Sequence, residues 1–353
     1  MRTLLFAALA AFLTSSTQTT QDPLAVIAGL SSADVTASGG ELAIVLPPVD
    51  VPARDSMGEG MVLTHLYQVP IPVSGTLYRF HVDVVDTTGA RLPQKVLHHV
   101  NLTDPSRREL FLPTSLHLIA ASKETPDLAI PRFLFGMPIH KGDRYLASGM
   151  LANDGDQPIR GARIRLVFHY LPSWVPGPLF DAYPWAMDVM FPLGRPKDGR
   201  KAFDLPPGKS TFSWESSPAI PGTILGLGGH LHDYGASLTL EDVTSGKVLW
   251  HGQPVKDSSG TVHRMPVHHF YGWGHLGVHI EPSHVYRATV VYDNTTGQVL
   301  HDGGMGTVAG LFVPDRGTHW PSVDPADSIY LKDLEISIGV SGTSGPPKVM
   351  YGR

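Results

Sequence analysis

From residue 41 onward, apolar and polar side chains alternate in short runs. ELAIVL (41–46), MVLTHLYQV (61–69), TLYRFHVDVVD (76–86), KVLHHVNL (95–102), RYLASGML (144–151) and ARIRLVFHYL (162–171) lie in the first half of the chain. ASLTLEDV (236–243), YRATVVYD (286–293), TVAGLFV (307–313) and LKDLEISIGV (331–340) lie in the second. Alternation with β-branched and aromatic residues predicts half-buried strands. A helical 3.6-residue period of useful length is missing, and 37 Gly with 31 Pro in 353 residues work against long helices. The pattern therefore predicts an all-β protein of antiparallel sandwiches. Only residues 127–136 read as a turn or a helical scrap.

Two stretches interrupt the rhythm, LPSWVPGPLFDAYP (171–184) and FPLGRPKDGRKAFDLPPGK (191–209), where Pro and Gly exclude regular strands. A domain border belongs there. The length suits two domains, which the reading sets at residues 21–174 and 175–341. The last residues, 342–353, read as a flexible tail.

Residues 1–20 have the layout of a secretory signal peptide, with Arg2, an apolar run over 4–13 and then small polar residues. That run is too short to span a bilayer, and no later stretch reaches about 18 uninterrupted apolar residues. The expectation is a secreted or periplasmic protein with no membrane span. The formal charge is -5, from 27 Lys plus Arg against 32 Asp plus Glu, and there is no basic run, which argues against nucleic acid as a partner. With 0 cysteines the chain has neither thiolate ligands nor disulfides. Histidine, at 18, is the abundant candidate ligand.

Two histidine pairs carry candidate chemistry. In GGHLHDYG (228–235), His230 and His232 are i and i+2, so on a strand both rings point to one face and can close on one ion. The plainer reading is a solvated strand end beside a glycine turn. In KVLHHVNL, His98 and His99 are neighbours, which a regular strand sends to opposite faces. Both reach one ion only through a local bulge or through different ring nitrogens; otherwise one is a core histidine and the other a surface one. Met305, after a Gly-Gly turn in LHDGGMGTVAGLFVPD (300–315), is either core filler or a soft ligand suited to Cu(I).

Taken in order, VLHHVNL, GGHLHDYG and GGMGTVAGLFVP resemble the copper-ligand motifs of the ascorbate-dependent type II copper monooxygenases, the family of peptidylglycine alpha-hydroxylating monooxygenase and dopamine beta-monooxygenase. ARIRLVFHYLPS and VYRATVVYDNTTGQVLHDGGM extend the resemblance, which covers roughly residues 60–314. It implies two jelly-roll-like β-sandwich domains facing each other across a cleft, with one copper on each. His98 and His99 would ligate the electron-transfer copper; His230, His232 and Met305 would ligate the catalytic copper that activates O2. Ascorbate or another reductant would supply electrons, and a C–H bond of a small-molecule or peptide substrate would be hydroxylated.

The chain also departs from the family. In YLASGMLAND (145–154), Asn153 sets a register that puts Met150 where the family has the third histidine of the first site. His169, on the next strand, is the other candidate for that ligand. Gly228 stands where the peptide enzyme has a substrate-binding arginine, and no tyrosine follows Met305 at the family's spacing, so peptidylglycine is not the expected substrate. Two further readings stay open: a non-catalytic extracytoplasmic copper-binding protein that keeps mainly the C-terminal site, and a sugar-binding or adhesion sandwich.

Overall fold

A computed structural model describes residues 22–352, apart from positions 57, 124, 126, 195–198, 200 and 273. The segment read as a signal peptide lies outside the described residues. The chain is all-β, two jelly-roll-like antiparallel sandwiches with, among the described residues, two α-helices, α1 (Pro23–Ala28) and α2 (Ser328–Ser341). Neither helix is long and apolar enough to cross a membrane.

Ten strands position the candidate sites. They are β1 (Glu59–Leu63), β2 (Leu97–Arg108), β3 (Ser115–Ser122), β4 (Arg144–Asn153), β5 (Ile159–Pro172), β6 (Tyr183–Asp188), β7 (Gly222–Leu231), β8 (Tyr286–Asn294), β9 (Gly306–Pro314) and β10 (Lys348–Gly352). In the first sandwich, one sheet has the order β10-β1-β4-β2-β3, and the facing sheet contains β5. Their inward side chains, among them Leu97, Val100 and Leu102 of β2 and Ile164, Leu166 and Phe168 of β5, form one core. In the second sandwich β6, β9 and β7 lie side by side and face a sheet containing β8. Trp185, Leu227, Leu231, Val290, Tyr292, Val308 and Phe312 belong to the core between them.

The sandwiches are interlocked. Leu110 and Phe111, on the β2–β3 connection, insert into the second core, where Phe111 packs on Trp185 with ring centres 5.2 Å apart. Trp320 touches both cores and donates from Nε1 to the Arg108 carbonyl at 2.9 Å. The Pro-rich residues 171–184 carry the chain from β5 to β6. The segment 127–136 holds a short strand, Asp127–Ala129, and the start of another, Phe135–Ile139, joined by a turn.

One expectation is corrected. LKDLEISIGV is not a strand but most of α2. Asp327 caps the helix, accepting from the backbone N–H groups of Ile329 and Tyr330. Tyr330, Leu334 and Ile338 then fall on one face at i, i+4 and i+8, and bury against Leu30, Leu66 and Leu146 of the first sandwich. The alternation of L-E-I-S-I mimics a strand locally, but the cap and the longer period decide. Within the segment read as a tail, residues 348–352 form β10, which pairs antiparallel with β1 from Lys348↔Leu63 to Gly352↔Glu59. His65 Nε2 meets the Gly345 carbonyl at 2.9 Å, and the Leu66 N–H donates to the Gly342 carbonyl at 3.0 Å. The chain's end thus completes an edge of the first sandwich.

Helix and strand assign residues 332 and 334 differently: i and i+2 share a face on a strand and diverge on a helix. Leu334→Ala should therefore cost about 2–5 kcal/mol of unfolding free energy in urea melts, and Lys332→Ala less than about 0.5 kcal/mol.

Candidate functional site

The first histidine pair sits on a β-bulge. In the β2–β4 register Met150 faces His99 and Leu151 faces Leu97, leaving His98 as the extra residue. A bulge puts two residues of one strand against one of its partner and re-aims a side chain. Leu97 and Val100 both point into the core; His98 and His99, between them, both turn outward. Their Nδ1 atoms are 3.0 Å apart and their ring centres 5.2 Å. Two nitrogens bound at about 2.0–2.1 Å to one ion lie about 3 Å apart when the bond angle is near a right angle, with ring centres about 5 Å apart. The pair has the spacing of a chelate.

Met150 lies directly across the ladder from His99, and so on the same face of the sheet. His169 is on β5, in the facing sheet. Its neighbours Phe168 and Tyr170 fill the core, so its ring points away from the sandwich, 3.6 Å from the Glu41 carboxylate. Of the two candidates for a third ligand, only Met150 shares a face with the pair.

Burial, and then the charge of His98, press the His99 imidazole down to a pKa of about 4. The ring is neutral at neutral pH, the form that binds metal.

The second pair occupies the end of a ladder. His230 pairs with Thr307 and Leu231 with Gly306, the last rung between β7 and β9. Beyond that rung His232 and Met305 leave the ladder, and their backbone N–H groups meet on the hydroxyl of Tyr292. His230 and Thr307 share the outer face, while Leu231 and Val308 point into the core. The two imidazole centres are 5.3 Å apart. Burial lowers the pKa of His232, and hydrogen bonds to the backbone of Asp302 and Gly303 offset part of the effect.

Where the ladder stops, the hydroxyl of Tyr292 takes over. It accepts from the backbone N–H groups of His232 and Met305, each at 2.9 Å, and donates to the Met305 carbonyl at 2.5 Å. One core side chain thus fixes the backbone of both candidate ligands. Two non-glycine residues among those described have positive φ, Tyr234 at 65° and Asp302 at 52°. They flank this pair, two residues after His232 and three before Met305. Such conformations cost about 1–3 kcal/mol and gather where a site needs a particular backbone.

Beside His230 the outer face carries a polar row. Thr307 lies across from both His230 and Asp188, and its hydroxyl donates to the Asp188 carboxylate at 2.5 Å. Sequence reasoning missed Asp188 and Tyr292. Tyr292 had a signal, since it follows Ala288 and Val290 at inward positions of β8, and a tyrosine in a core position needs a partner for its hydroxyl.

Among the described residues no group of three or more His, Cys, Asp or Glu is placed to hold a metal ion. Each candidate centre therefore offers two imidazoles, and the neighbouring ligand type is a thioether. That donor set is soft and suits Cu(I) better than Zn(II) or Mg(II). The residues present fit copper.

No protein-family model and no curated protein matches the sequence. Among solved structures, the chain is similar to the major capsid protein P2 from Bacteriophage PM2, at 8% identity over 82% of this chain and 98% of that one, with a TM-score of 0.34. A structure of Sulfolobus Turreted Icosahedral Virus aligns at 11% identity over 88% and 95% of the chains, with a TM-score of 0.25. A fucolectin from striped bass (Morone saxatilis) serum aligns at 8% identity over 70% and 85%, with a TM-score of 0.20. Likenesses at these scores carry no argument about the site.

Two measurements follow. Tyr292→Phe removes the donor to Met305 and the acceptor for two N–H groups, so it should cost about 1–3 kcal/mol of stability and weaken metal at His230 and His232 while leaving the His98 pair unchanged. The folded-state pKa of His99 is depressed below its ordinary 6.5, so between 6.5 and about 4 the unfolded chain binds more protons. Stability of the metal-free protein should therefore fall as pH drops through that window. His99→Gln should show a smaller drop in thermal midpoint between pH 7 and pH 4.

Proposed function

We propose that the protein is an extracytoplasmic copper-dependent oxidoreductase of monooxygenase type. One copper would be held by His98, His99 and Met150, and a second, catalytic one by His230, His232 and Met305. O2 and ascorbate or another reductant would be co-substrates, and a small molecule or peptide the substrate. The observation that carries the reading is the bulge, which turns two consecutive histidines to one side with their Nδ1 atoms 3.0 Å apart. In the metal-free chain that spacing is a hydrogen bond between the two Nδ1 atoms, and it is also the spacing at which one ion could bridge them.

Copper bound at these positions would supply the one-electron and O2 chemistry that hydroxylates a C–H bond. The protein's part is to hold and orient. The neutral rings of His99 and His232 present lone pairs without a proton to displace. Tyr292 keeps Met305 beside His232, and the Thr307–Asp188 hydrogen bond gives the face next to His230 a fixed acceptor for a polar substrate group.

Met150 favours a second reading, a non-catalytic copper-binding protein. A thioether opposite His99 holds Cu(I) better than Cu(II), which slows re-oxidation and electron transfer from that site.

Copper content separates the readings from a metal-free sandwich. The wild type should bind two copper ions per chain, and His230→Ala or His232→Ala should bind one. Unchanged stoichiometry in those variants removes the second site. Met305→Leu should weaken Cu(I) more than Cu(II). Met150→His should raise ascorbate-dependent O2 consumption and add a second Cu(II) paramagnetic-resonance signal. If neither protein consumes O2 above the level of free copper, the non-catalytic reading stands.

A further inference from the structure

The outer face of the first sandwich carries sulfur beyond its histidine pair. Val62 of β1 and Leu151 of β4 point into the core, so their neighbours Met61 and Met150 point out. The returning end of the chain adds a third methionine. Met350 of β10 stands directly across the ladder from Met61, and residues opposed in this way share a face. Among the described residues this is the one ladder rung with methionine on both strands.

The two thioethers are within reach of each other. Directly opposed residues of antiparallel strands have Cβ atoms about 4.5–5.5 Å apart, and the unbranched methionine side chain turns easily enough to bring its sulfur toward the partner. On the other side of β1, Met61 meets only the methyl group of Ala152. Strand β10 is the edge of its sheet, and both methionines are half-buried, so the pair is open to an ion from solvent.

Packing does not account for the pair. A methionine usually fills gaps in a core, and Met137, Met187, Met190 and Met265 lie in or against the two large cores. Met150 and Met305, the candidate copper ligands, belong to none of the hydrophobic clusters, and neither do Met61 and Met350.

We propose that Met61 and Met350 form a binding site for one soft univalent cation of the Cu(I) class, at the edge that β10 adds to the first sandwich. Thioethers are neutral and soft, so they hold such an ion and pass over Zn(II) and Mg(II). A univalent ion with a filled d shell accepts two donors, and the pair suffices. The site uses neither histidine pair and is independent of the copper centres proposed above.

Silver(I), which is soft and does not change oxidation state, tests it. The full chain, labelled with carbon-13 at the methionine methyl groups, is titrated with silver nitrate in chloride-free buffer. The Met61 and Met350 signals, identified by their loss in Met61→Leu and Met350→Leu, should move together along one saturating curve, and Zn(II) should leave them in place. Met350→Leu, which keeps the volume of the side chain, should weaken Ag(I) at Met61 by about tenfold or more, since even the outer partners of metal ligands cost that much in affinity. His98→Ala with His99→Ala, and separately Met305→Leu, should leave the curve unchanged, which separates this site from both copper centres. If Met61→Leu does not fold, the edge variant Met350→Leu decides. Unmoved signals, different curves for the two methyl groups, an equal response to Zn(II), or an unchanged Met61 curve in Met350→Leu overturns the proposal. Loss of the response in the double histidine variant assigns the sulfurs to the histidine centre and overturns it as well.

Discussion

The two-residue period of the pleat governs where every functional candidate in this chain can point. A strand residue faces the core or faces away, and its neighbour does the opposite. His98 and His99 share a face because the ladder between β2 and β4 slips by one residue there. His230 and His232 lie two residues apart with ring centres 5.3 Å apart, and beyond the last rung of the β7–β9 ladder the Tyr292 hydroxyl holds the backbone of His232 beside that of Met305. Both candidate centres lie where register changes, one at its break and one at its end. A single-residue slip elsewhere in either ladder would send the rings into the core.

Register has to be held where the ladder ends, and each sandwich uses the same device. The side-chain amide of Asn153 donates to the carbonyls of Pro52 and Gln157, and the Gly155 N–H returns to its oxygen. Asn294 does the same with Leu205, Pro206 and Gln298, and with the Thr296 N–H. Both asparagines are buried at strand ends, where an amide that bonds three ways costs little to desolvate and ties the outgoing loop to the preceding segment. The two halves therefore share an N-x-x-x-Q turn at matching places. Its two occurrences differ at every intervening position, D-G-D against T-T-G, so a search for a fixed repeat passes over them.

Most of the strands were legible because alternation is a local signal. The clearest error, α2, came from a segment whose five-residue core L-E-I-S-I fits both periods; the deciding information is Asp327 before it and the burial of Tyr330, Leu334 and Ile338 on a surface formed far away in sequence. The C-terminal strand was illegible for a related reason. KVMYG has no pattern of its own, and its pairing partner, β1, lies nearly the whole chain away. At the sites, residue types and spacing named His230, His232 and Met305, and the requirement for a bulge at His98 and His99 could be stated in advance. Whether the bulge forms depends on the facing strand, which no local window contains. Choosing between Met150 and His169 likewise needed the knowledge that β4 and β5 belong to different sheets.

The return of the chain's end to the first sandwich changes what its outer face can be. Without α2 and β10, the face bearing Asn101, Thr103, His117 and Ser148 would be an open sheet surface, wetted by solvent and unable to perturb any of its polar groups. With α2 docked on Leu66 and Leu146, the same residues line a partly covered cavity, and the side chains around it titrate accordingly. Burial and the neighbouring carboxylates act in opposite directions on His117, and the carboxylates prevail, raising its pKa. Burial dominates for Asp333, whose carboxyl is pushed up, and for Lys201, whose ammonium is pushed down. The charge of Lys201 acts on Asp188 of the second sandwich, Asp333 of α2 and Glu109 at the crossing between the sandwiches, while its ammonium donates to the Pro192 carbonyl at 3.4 Å and lies 4.3 Å from the centre of the Phe191 ring. The Trp320 and Phe111 contacts tie the two cores together beside it, so the sandwich that carries His98 and His99 and the one that carries His230 and His232 are joined through packed side chains.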